Sequence, residues 1–83
     1  MRVRFPADLT ISNAGPLKAS LLPLADRKEN FQFDMQSVTE MDSSCVQLIL
    51  AFEREARARG CGVEYSLSEQ ARKISTIYGL PWT

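Results

Sequence analysis

The chain has 83 residues, enough for one small domain that buries about 60% of its unfolded surface and too few to enclose a deep substrate cavity. Ten basic residues balance ten acidic ones, so no positive field gathers nucleic acid or anionic lipid, and any partner is recognised by shape and local chemistry. Histidine is absent and the two cysteines, Cys45 and Cys61, lack CxxC spacing, which removes the common zinc sets and a disulfide framework and leaves two buried free thiols. Neither a signal peptide nor an apolar run long enough for membrane insertion is found, so the expected location is cytoplasmic.

Arg2-Val3-Arg4-Phe5 alternates charged and apolar residues, as a half-buried strand does, and Pro6 breaks it. Leu9-Thr10-Ile11 reads as a second short extended piece. Ser12 and Asn13 then cap a helix carrying Leu17, Leu21, Leu22 and Leu24, with Pro16 in its early turns and Pro23 limiting its end. Asn30 to Met35 has the strongest period of two in the chain, with Phe31, Phe33 and Met35 on one face, and is expected to be the central strand. A turn follows near Gln36 to Glu40.

The stretch MDSSCVQLIL, residues 41–50, sets an acid and two hydroxyls before an apolar run, so Asp42, Ser43 or Ser44 caps the longest helix. Val46, Leu48, Ile49, Phe52 and Ala56 form its buried side and Gly60 its stop. Glu53 and Arg57, like Glu55 and Arg59, stand four apart in the favourable order, which predicts a solvated, paired face. Val63, Tyr65 and Leu67 alternate along a further strand. Ser68 then caps a helix with Ala71, Ile74 and Ile77 facing inward before Gly79 ends it. The order β-β-α-β-α-β-α predicts an α/β fold spanning residues 1–83 as a single domain, with a mixed, largely parallel small sheet and helices packed on it.

Catalysis finds little support in these residues. Without histidine, Ser43 and Ser44 lack the usual general base, and a Ser-Lys pair needs Lys18, Lys28 or Lys73 brought close by folding. No glycine-rich phosphate loop is present. The expectation is a protein that is not an enzyme and carries no cofactor.

Taken together, the apolar strand Phe31–Met35, the turn with Val38, Asp42-Ser43-Ser44, the helix with Leu48-Ile49-Leu50, the Gly60 stop, a further strand and the closing Gly79-Leu80 resemble the STAS domain, the family named for sulfate transporters and anti-sigma factor antagonists. Asp8-Leu9-Thr10-Ile11 and Leu17 to Leu22 are similar to the family's piece before the first helix and to that helix, so the likeness runs from about Asp8 to Leu80. It implies a bacterial regulatory module acting by protein–protein interaction. In the antagonist branch, the first hydroxyl after the aspartate is phosphorylated by a partner kinase that is itself an anti-sigma factor. That position is Ser43 here, with partner contacts at Asp42, Ser43, Ser44, Cys45 and Gln47.

Other branches imply a constitutive subunit that is not phosphorylated, in a lipid-transport ABC complex or a chemotaxis signalling system. The ending Ile77-Tyr78-Gly79-Leu80-Pro81-Trp82 is similar to the transporter branch. The chain departs from the pattern at Cys45 and Ala7, where relatives often have glycine, and in the short segment before Asp8. A shortened sheet edge there needs Arg2 and Arg4 as guards or a partner to pair with.

Overall fold

The computed structural model describes residues 1–82. The chain runs β1 (Arg2–Arg4), β2 (Asp8–Leu9), α1 (Ile11–Leu21) extended by a 3-10 turn at Leu22–Leu24, β3 (Phe31–Met35), β4 (Glu40–Met41), α2 (Ser43–Ala58), β5 (Val63–Leu67) and α3 (Glu69–Ile77). β3 is central, with β1 and β5 parallel to it on either side, and Val3, Phe33 and Tyr65 share one register. This is the expected small α/β fold, and the sheet, expected to be mixed and largely parallel, is formed here by parallel pairs.

The two faces of the sheet differ because β3 alternates. Phe31, Phe33 and Met35 are buried, and Phe33 meets Phe5, Phe52 of α2 and Tyr65 at ring-centre distances of 5.1, 5.5 and 5.4 Å. Such aromatic pairs contribute about 0.5–1.5 kcal/mol each beyond the area they bury. On the other face Arg2, Arg4, Gln32, Glu64 and Ser66 are exposed. Parallel sheets are normally covered on both sides; here polar side chains leave one side open.

Asp34 lies low on the open face, 2.7 Å from Arg2 and 3.7 Å from Arg4. The Gln36 backbone N–H, followed by the Arg2 guanidinium, holds its carboxyl below the usual range. The exposed arginines thus occupy the β1 edge as charged guards.

The start of α1 corrects the sequence reading. Ile11 is the first helical residue rather than the end of a strand, and Thr10 is the N-cap without a side-chain bond; Ser12 and Asn13 already lie in the first turn. Local polar groups explain the shift. The Asp8 carboxylate accepts the Thr10 N–H at 3.1 Å, and the Asn13 amide donates to the Asp8 carbonyl at 2.7 Å. An unexpected two-residue strand, Glu40–Met41, pairs in parallel with Asp8–Leu9.

At the other end of α1, the 3-10 winding turns Leu22 outward, where it is 60% exposed. In α3 the inward residues are Ala71 and Ser75, with Ile74 half-buried, while Ile77 is 81% exposed. Ser75 takes the inner place because its hydroxyl donates to the Leu80 carbonyl at 3.3 Å and its own carbonyl accepts the Leu80 N–H at 2.8 Å. The stops at Gly60 and Gly79 are as expected, with φ of 80° and 69°, a conformation in which glycine meets no Cβ penalty.

One carboxylate joins the two long helices. Asp42 caps α2 by accepting from the Ser44 and Cys45 N–H groups at 3.0 and 3.3 Å, and its second oxygen accepts the Ile11 N–H at 2.8 Å. The first turns of α1 and α2 therefore converge on a single residue, and the helices run side by side in the same sense. At their far ends Arg59 meets Asp26 at 3.3 Å.

The face expected to be solvated is only partly so. Glu53 pairs with Arg57 at 2.8 Å, yet its side chain is only 15% exposed because Tyr65 donates its hydroxyl to the same carboxylate. Burial alone would raise the Glu53 carboxyl, but the Tyr65 and Arg57 donors outweigh it and hold it below its ordinary range. Burial pushes the Tyr65 phenol up, and Glu53 adds to this. Trp82 stacks on Tyr65 with ring centres 4.8 Å apart. Its indole N–H is turned toward Glu53 but makes no hydrogen bond of normal geometry.

Two expected outcomes follow from these contacts. Asp42→Ala should cost about 2 kcal/mol in urea unfolding, since a cap and a second helix-start bond are both lost. Asp42→Asn should cost less, because the amide keeps one of the two acceptors. Tyr65→Phe should destabilise by about 1–3 kcal/mol near neutral pH by leaving the Glu53 carboxylate short of a donor. Because Glu53 is held below its unfolded value, its stabilisation is present above the carboxylate range and lost as pH falls through the lowered value. The difference between wild type and Tyr65→Phe should therefore narrow in acid, as read by thermal unfolding across a pH series.

Candidate functional site

The site is built on the helix start that follows β4. Asp42 has extended backbone and performs the capping, so Ser43, the first helical residue, is relieved of that duty and its side chain stands exposed. Ser44 is half-buried one position on, and Gln47 is exposed one turn further, on the same side of α2 as Ser43. Two of the expected contact residues thus present themselves together, with Ser44 beside them.

Cys45 does not join them. It is fully buried, and its thiol donates to the Thr10 carbonyl at 3.3 Å, so it ties α2 to the start of α1. A helix N-terminus favours thiolate, but burial, followed by the Asp42 and Asp8 charges, pushes this thiol up. Cys45 is a packing residue and not a contact on the exposed surface, and its Cβ does not obstruct approach to Ser43. Cys61 is likewise a buried free thiol.

Sequence reasoning missed Ile11, which is 68% exposed and hydrogen-bonded through its N–H to the same Asp42 that precedes Ser43. Counting it in an alternating strand with Leu9 hid it. The available signal was Asp8-x-Thr10, in which an aspartate side chain reaches the backbone two residues on and opens a turn.

Among the described residues no group of three or more cysteines and acids is placed to hold a metal ion. Of the lysines considered as a base, Lys73 pairs with Glu69 at 3.6 Å and Lys18 sits beside the cleft between α1 and α2. What the arrangement offers is an exposed hydroxyl and an exposed apolar residue at the joined ends of two helices. No helix among the described residues is long and apolar enough to cross a membrane.

Comparison with curated proteins returned no match. The family model STAS_2, described as "Mlab, STAS domain", matches residues 1–80. Domains of this family are generally non-catalytic and mediate protein–protein interactions. The match takes in every strand and helix described above, including the Asp42–Ser43 helix start, and the chain belongs to the STAS domain family.

Proposed function

We propose that this STAS domain is a regulatory module of the anti-sigma-factor-antagonist type, docking on a partner kinase or anti-sigma factor through the end of the molecule that carries Ser43, with phosphorylation of Ser43 weakening the complex. The observation that carries this reading is the division of labour at the helix start. Asp42 satisfies the orphan N–H groups, and Ser43 beside it is exposed and free of the capping role. A phosphate there adds about 1.5–2 negative charges at a position where helix N-termini accommodate an anion, so the fold tolerates what a docked surface does not.

A second reading is a constitutive subunit of a lipid-transport or chemotaxis assembly, without phosphorylation. One observation favours it. Ile77 and Tyr78 at the end of α3 are exposed and available to a permanent partner, whereas Trp82 is held inward on Tyr65.

Affinity capture from the source cell with wild type, Ser43→Ala and Ser43→Asp, followed by titration calorimetry with the partner identified, separates the two readings. Ser43→Ala should retain binding. Ser43→Asp should weaken it about tenfold or more, because an unpaired charge is desolvated on docking, while stability changes by no more than about 0.5 kcal/mol. Equal affinity for wild type and Ser43→Asp would replace the phosphoswitch with the constitutive reading.

A further inference from the structure

Asp42 holds two helix starts with one side chain. One carboxylate oxygen accepts the Ser44 and Cys45 N–H groups of α2 at 3.0 and 3.3 Å, and the other accepts the Ile11 N–H of α1 at 2.8 Å. The start of α1 leans on this bond, because its own N-cap, Thr10, makes no side-chain bond and no acid stands in its first turn. Without Asp42 the Ile11 N–H is one of the orphan donors of a helix start and has only water to turn to.

Ser43 stands at this junction. It follows Asp42 directly and is exposed, so a phosphate on its hydroxyl lies beside the first N–H groups of α2, where helix starts accommodate anions. Those are the donors that Asp42 occupies. The surroundings offer a phosphate little else. Asp8, whose carboxylate accepts the Thr10 N–H at 3.1 Å, adds a second negative group next to the start of α1. Neither Asp8 nor Asp42 takes part in an ion pair among the described residues.

We propose that Asp42 relays the state of Ser43 to α1: a phosphate on Ser43 takes over the Ser44 and Cys45 N–H groups, Asp42 is turned away from them, and the Ile11 N–H loses its acceptor, so that the first turn of α1 loosens. This rests on the phosphorylation reading above and specifies how it acts. In the transfer, Ser43 Oγ bonds to the terminal phosphorus of a nucleoside triphosphate held by the partner kinase, the bond to the departing diphosphate breaks, and the hydroxyl proton leaves to solvent. The phosphate then carries about 1.5–2 negative charges and three acceptor oxygens against the single charge of the carboxylate, which decides the competition for the two donors.

The movement is local. The Cys45 thiol still donates to the Thr10 carbonyl at 3.3 Å, so α1 keeps its place while its first turn gives way. One anionic cap replaces another on α2, and the Ile11 N–H lies at an exposed position where water takes the place of the carboxylate. A partner registers the change through Ile11, whose side chain is 68% exposed and whose position is set by the bond that the phosphate removes. The switch alters the shape of this end of the molecule as well as its charge.

Amide exchange with water, read by NMR on the full chain with Ser43 replaced by phosphoserine, tests the relay. The Ile11 amide should exchange about tenfold faster than in the unmodified protein, while Leu17 and Ile49, in the middle of the two helices, keep their rates. The direction is diagnostic, because a nearby negative charge acting alone repels hydroxide and slows exchange. In Asp42→Ala, where the link is already absent, Ile11 should be fast from the outset and phosphoserine should add less than about twofold, the non-additivity expected of coupled groups. If Asp42→Ala does not fold, Asp42→Asn takes its place, and phosphoserine should add less there than in the wild type. Unchanged or slower Ile11 exchange on phosphorylation, or an equal rise with Asp42 replaced, would overturn the proposal. Partner affinity of the same proteins separates the relay from the reading beneath it. Loss of binding with Ile11 still protected sinks the relay and spares the phosphoswitch; a loosened Ile11 with binding unchanged sinks the phosphoswitch and spares the relay.

Discussion

The carboxylate of Asp42 answers two structural needs at once, and the rest of the helix layer depends on it. A helix start leaves four N–H groups without intrahelical partners, and here two starts, at Ile11 and Ser43, meet on one side chain. Each oxygen serves one helix. The Asp42 backbone N–H donates to the Leu9 carbonyl at 3.0 Å, which continues the short β2–β4 ladder and sets the carboxylate between the two helix ends. The Cys45 thiol repeats the connection from inside. With their starts joined at Asp42 and their far ends by Arg59 and Asp26, α1 and α2 lie alongside each other with the cleft between them.

The division of the sheet into a buried face and an open one follows from β3. Its alternation puts three apolar side chains under the helices and leaves Gln32 and Asp34 on the other side. Asp34 is tolerated there because backbone and arginine donors surround it, so its burial costs little. Closure at the β5 side is made by Tyr65 and Trp82, with Glu53 beneath them. A carboxylate in that place stabilises the structure only while its donors are present, which makes the aromatic tail part of the core and not a free extension.

A domain this small meets a partner through its surface. Its apolar interior is taken up by packing five buried aromatic rings, two helices and a short third one against three strands. What can change cheaply is the exposed end where two helices begin. The starts of α1 and α2, the positive ends of two helix dipoles, lie there together on Asp42.

Periodicity carried most of the fold. The central strand, the long helix from Ser43, the strand at Val63–Leu67 and the glycine stops were legible because a buried face of period 2 or 3.6 leaves a direct trace in composition, and family resemblance was legible because Asp42-Ser43-Ser44 stands at a set distance from those elements. Hydroxyls before an apolar run also located the candidate site. Which of the three polar residues caps was not legible, since Asp42, Ser43 and Ser44 are all competent and only the approach of Ile11, which needs a second acceptor oxygen, favours the carboxylate. Nor were the two-residue strand at Glu40–Met41, too short to show a period, the inward turn of Cys45 or the outward turn of Ile77 and Leu22. Those depend on contacts across 30 or more residues, on a local change of helical pitch at Leu22 or, for Ile77, on the Ser75–Leu80 contact that turns Ser75 inward, and the free energy of such pairs exists only once the chain has folded.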